Sequence, residues 1–111
     1  MEHAKSYRDL EVYKLARQLS KEIYEVSKGF PKEEMYSLTD QIRRSSRSVG
    51  AQVAEAWSKR KYEKHFISKL TDADGEQQET QHWIETAADC GYIVQKQQKV
   101  WLKNMLLLAE C

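Results

Sequence analysis

Val12, Leu15, Leu19, Ile23 and Val26 recur at spacings of three and four residues, and the same period returns in three later segments of the chain. That spacing belongs to a helix with one buried face, so the chain has to fold as several amphipathic helices sharing a core. The first segment runs from about Tyr7 to Lys28 and meets Gly29-Phe30-Pro31. The glycine suits a C-terminal cap, and the proline forbids a simple continuation. Beyond it, Glu33 and Glu34 favour a helix N-terminus. Met35, Leu38, Ile42, Ser46, Val49, Val53 and Trp57 then form the inner stripe of a second helix of about six turns. The run Ser58–Lys64 breaks the pattern and reads as a charged turn.

A third stripe comprises Phe66, Leu70, Ala73, Gln77, Gln81, Ile84 and Ala88, with Gly91 placed as a cap. Its two glutamines predict a polar contact inside the bundle or at a subunit interface. The fourth carries Val94, Trp101, Met105 and Leu108, widened by Leu102, Leu106 and Leu107. One proline and four glycines cannot serve the many turns of a sandwich or barrel. Helices of about 20 residues are each about 30 Å long, and short connections force neighbours to lie antiparallel. The predicted fold is all-α: an antiparallel, up-down-up-down four-helix bundle forming a single domain over residues 1–111.

The net charge of +1 exerts no global pull toward nucleic acid or anionic lipid. The charge is uneven, however. Residues 32–65 hold eight Lys/Arg against five Asp/Glu, whereas residues 66–91 hold one Lys against six acids. With Ile42 facing the core, a step of about 100° per residue sends Arg43, Arg44 and Arg47 outward. The outward sector continues into Gly50, Ala51, Ala54 and Ser58.

Two readings follow. The arginines are either a solvated face, with Asp40 four residues before Arg44, or contacts for RNA or DNA phosphates extended by Lys59, Arg60 and Lys61. The small side chains let a second backbone approach. Together with Trp83, Trp101 and six tyrosines they suggest a homo-oligomer interface at Gly50, Ala51, Ala54, Ser58 and Trp83. Acids at Asp72, Asp74, Glu76 and Glu79 form a wet face or meet the basic block of a neighbouring subunit. The alternative role is a protein-binding scaffold whose arginines serve subunit interfaces.

Catalytic chemistry finds no foothold. Glu79 and His82 have the spacing of half a di-iron site, but the sequence has no second Glu-x-x-His. Counting from Asp72, the calcium-loop positions that need Gly and Glu hold Gln77 and Trp83. Cys90 and Cys111 have no metal-binding or disulfide spacing, and His3, His65 and His82 are scattered. The expectation is a non-enzyme without metal or cofactor. The first residues lack the apolar stretch of a signal peptide, and no apolar run spans a bilayer, so a cytoplasmic setting without membrane partner is expected.

The segment from Phe30 to Ala56, followed by Lys69–Ala87, resembles the 23S rRNA intervening-sequence family. Phe30, Pro31, Glu34, Leu38, Gln41, Arg43, Arg44, Ser48, Ala54 and Glu55 match the family's pattern, and the opening "YRDLEVYKLARQLSKEIY" resembles its first helix. Ala56, Gln52 and Glu76 stand where Gly, Asn and Ser are common. The resemblance implies a four-helix bundle, commonly a ring-like homopentamer, with no enzymatic activity. It also implies similarity to the accessory variability determinant of diversity-generating retroelements, a basic pentamer that binds nucleic acid and a reverse transcriptase.

Overall fold

The computed structural model describes residues 4–110, so His3 and Cys111 lie outside the described residues. Among the described residues there are four α-helices and no strands: α1 (Glu11–Ser27), α2 (Asp40–Ser58), α3 (Glu63–Asp89) and α4 (Gln95–Glu110). Leu19, Ile23, Ile42, Ile84, Trp101 and Met105, drawn from all four helices, are at most 1% exposed and form the centre of one core. Trp101 is therefore a core residue, and its indole N–H donates to Glu22 of α1 at 3.3 Å.

Contacts between neighbouring helices run in opposite residue order. Arg43 meets Ser27 near the end of α1, whereas Gly50 lies against Tyr13 and Ala16 near its start. Arg44 meets Glu76 and Glu79, whereas Glu55 meets Lys69. Trp101 reaches Glu22, and Leu108 shares a cavity with Val12.

The helix limits differ from the sequence reading for physical reasons. Residues 7–9 form a separate 3₁₀ turn, because the Ser6 hydroxyl accepts from the Arg8 N–H, the Asp9 carboxylate accepts from the Ser6 N–H, and Leu10 is extended. The helix predicted from Tyr7 thus starts at Glu11. At its other end Gly29 does not take the left-handed conformation; the helix unwinds through i→i−3 bonds from Gly29 to Val26 and from Phe30 to Ser27.

Between Pro31 and α2 the chain makes a 3₁₀ turn (Lys32–Glu34) and a π-helical turn (Met35–Thr39). The wider π turn rotates what precedes it by roughly one residue's worth, about 100°. Met35 consequently leaves the stripe and is 40% exposed, while Leu38 stays buried. Leu70, Leu106 and Leu107, expected in inner stripes, are also exposed, and Val94 precedes α4 in the open.

Gly91 does cap α3. Its φ of 77° lies in the left-handed region, and the N–H groups of Gly91 and Tyr92 bond back to the carbonyls of Ala88 and Ala87. At that end of the bundle Tyr92 packs on Phe30 and donates its hydroxyl to Glu34 at 2.9 Å, which joins the two loops.

At the opposite end, Val12 of α1, Val53 of α2, Leu70 of α3 and Leu108 of α4 line a common cavity of about 330 Å³. With 27 residues, α3 is about 40 Å long, against about 26 Å for the 17 residues of α1. The α2–α3 hairpin therefore projects past α1 and α4, and its tip carries the turn Lys59–Tyr62.

Candidate nucleic-acid interface

The three arginines of the basic segment do not stay together. Arg44 turns toward α3, where its guanidinium donates to Glu76 at 3.0 and 3.3 Å and to Glu79 at 2.5 Å. Two carboxylates gripping one planar fork give bidentate geometry and hold the arginine even more firmly protonated than usual. The expected partner Asp40 is not the one it takes. Glu79 also accepts the indole N–H of Trp83 at 3.0 Å; that bond first, and Arg44 second, keep its carboxyl below the ordinary range.

Arg43 and Arg47 turn the other way, toward α1. Their guanidinium carbons lie 4.7 and 5.2 Å from the centroid of the same Tyr24 ring, and Arg43 Nε donates to Ser27 at 2.7 Å. Arg47 remains exposed and lines a groove of about 530 Å³ between α1 and α2. Arg17, Ser20 and Lys21 line its other wall, Tyr7 and Tyr13 one end, and Ala16, Gly50, Ala51 and Ala54 complete its lining. Arg17 Nη1 donates to the Tyr13 hydroxyl at 3.1 Å. A second depression, lined by Arg8, Tyr13, Lys14 and Arg17, shares Tyr13 and Arg17 with the first.

Among the described residues no carboxylate lines either depression. Lys14 shares a charge with Glu11 at 3.5 Å, but among the described residues Arg17, Lys21, Arg43 and Arg47 form no ion pair. Positive charge is thus concentrated on one face.

Lys59, Arg60 and Lys61 sit elsewhere. They lie about 18 Å beyond Arg47 along α2, at the hairpin tip, where Arg60 stacks 4.3 Å over Trp57 and donates to its carbonyl. The strip of small residues is also not bare. A ring carbon of Tyr13 lies 3.7 Å from where a Gly50 Cβ would stand, so Gly50 is buried within the chain, while Ala51 and Ser58 are exposed. Trp83 is half-buried against the chain's own core and tethered to Glu79.

The glutamines of α3 form a ladder within their own chain: Gln81 donates to Gln77, and Gln77 to Asp74. Glu79, engaged by Arg44 and Trp83, is not free to act with His82, and among the described residues no three His, Cys, Asp or Glu side chains are grouped to hold a metal ion. No helix is long and apolar enough to cross a membrane.

The cations of α1 were the signal missed in the sequence. Tyr13, Arg17, Ser20 and Tyr24 share a stripe about 100° from the core line, and Lys21 borders it; only opposite the arginines of α2 does that stripe become a groove.

A family model described as 23S rRNA-intervening sequence protein matches residues 8–110. The chain belongs to this family. No curated protein matches it significantly. The 23S rRNA-intervening sequence family model thus covers all four helices, including both walls of the α1–α2 groove. Family membership and the helical architecture agree with what the sequence resemblance implied.

Proposed function

We propose that this chain is a non-enzymatic, cytoplasmic, homo-oligomeric bundle that binds RNA or DNA through the cationic face of α1 and α2. The observation that carries the reading is the set Arg17, Lys21, Arg43 and Arg47, gathered on the α1–α2 side of the bundle and forming no ion pair among the described residues. Phosphate-driven affinity grows with the number of cations on a continuous surface, and a family named for an rRNA intervening sequence fits such a ligand. Arg44, committed to α3, is left out of this face. Lys59, Arg60 and Lys61 add a second positive region for a long ligand.

For self-association, exposed apolar groups of α3 and α4 are favoured over the small-residue strip of α2, whose Gly50 is buried within the chain. Ile67, Val100, Leu106 and Leu107 are 52, 44, 56 and 42% exposed, which makes them candidates for a protein contact. A ring of five is what the family resemblance implies. If the chain is instead a protein scaffold, the exposed Arg47 serves a subunit interface beside these apolar groups.

The deciding experiment is the double variant Arg17→Glu/Arg47→Glu, tested by fluorescence anisotropy with RNA and DNA oligonucleotides. Binding is expected to weaken to a similar degree for many sequences, as phosphate contacts dictate. Unchanged affinity removes the nucleic-acid reading and leaves the scaffold.

A further inference from the structure

We infer that the α1–α2 groove holds an unpaired nucleotide, so that the protein selects single strands over duplexes; this rests on the nucleic-acid reading above and goes beyond it. A surface that only neutralised phosphates would need cations and no concavity. Here the cations surround a hollow of about 530 Å³, within the roughly 300–1,000 Å³ typical of small-molecule sites. Its lining divides by chemistry. Arg17, Lys21 and Arg47 stand where a phosphate would be held, and Arg17 is oriented by the Tyr13 hydroxyl.

Tyr7 and Tyr13 pack edge-to-face, with ring centroids 4.9 Å apart at 77°, and Arg8 lies 4.6 Å over the Tyr7 ring; the remaining surface of the pair lines one end. Ala51 and Ala54 keep one wall low enough for a flat base to enter. Bases within a duplex are stacked on each other and offer little to such a hollow, whereas a single strand presents its bases to aromatic side chains. Single-stranded RNA and single-stranded DNA share the required chemistry, a planar base beside a phosphate.

Ala51 allows a test that leaves every charge in place. It is exposed on a helix, so Ala51→Trp fills the hollow from outside without disturbing the core. Labelled RNA and DNA single strands of about 16 nucleotides, and the matching DNA duplex, are titrated in parallel. The wild type is expected to bind single strands about tenfold or more tightly than the duplex, and Ala51→Trp to bring that ratio to about one. Similar affinity for RNA and DNA strands supports recognition of base and phosphate alone, while binding of only one of them overturns the shared-chemistry form. Circular dichroism verifies the fold, with Ala51→Leu as a smaller filler if the tryptophan variant loses helicity. A wild-type preference for duplex, or an unchanged ratio in the filled variant, overturns the inference while leaving the nucleic-acid reading intact. Unchanged binding of all three probes by Arg17→Glu/Arg47→Glu removes both.

Discussion

Arg44 and Arg47 lie three residues apart on α2, yet one stabilises the fold and the other faces a groove. Replacing Arg44 leaves Glu76 and Glu79 repelling each other without a cation. With Arg44 half-exposed and its two carboxylates partly covered, the loss is on the order of 1 kcal/mol, and in a chain of this size it lowers Tm by about 4–8 °C. Arg44→Ala is thus expected to melt earlier while binding nucleic acid nearly as before, whereas Arg47→Glu is expected to weaken binding with little change in Tm; calorimetry and anisotropy on the two variants separate these roles. Glu79 adds a pH dependence. Its folded carboxyl sits below the ordinary 4.5, so the unfolded chain takes up that proton first on acidification. The stabilisation is complete above about pH 4.5 and disappears as pH falls through the lowered folded value. Thermal melts between about pH 5.5 and 3.5 are expected to show a falling Tm, with a shallower fall in Glu79→Gln.

The caps test the helices one at a time. Gly91 holds a φ of 77°, so Gly91→Ala is expected to cost about 1–2 kcal/mol, read as a lower denaturation midpoint with an unchanged m-value. This cap was legible in the sequence, because a glycine just past a periodic stripe has one common use. The core of α1 was equally legible: Leu19 and Ile23, spaced by four, are buried as their period requires. Met35 was not, since a π turn leaves no mark in a stripe that an unbroken α-helix would satisfy equally well. Nor was the split among the arginines. A helical wheel gives their direction from one axis but does not tell which neighbour each guanidinium meets, and Arg44 and Arg47 fall to opposite neighbours. Gly50 misled for the same reason, because the ring covering it belongs to another helix.

At the scale of the whole molecule, the exposed apolar groups of α3 and α4 and the cations of α1 and α2 occupy different helices, which lets assembly and binding be altered separately. Leu106→Glu/Leu107→Glu is expected to reduce the mass found by light scattering to that of a single chain, with helicity retained; an unchanged oligomer would place the contact elsewhere. Assembly would repeat the α1–α2 face in every subunit and strengthen attraction for a long polyanion through multiple contacts. The central claim is that the cations gathered on α1 and α2 grip phosphates, and the salt dependence of oligonucleotide binding tests it most directly. With Arg17, Lys21, Arg43 and Arg47 each displacing a counterion, log K plotted against log salt is expected to fall with a slope of about −3 per chain, and with roughly half that slope in Arg17→Glu/Arg47→Glu. A flat plot for the wild type, or the same steep slope in both proteins, would contradict it.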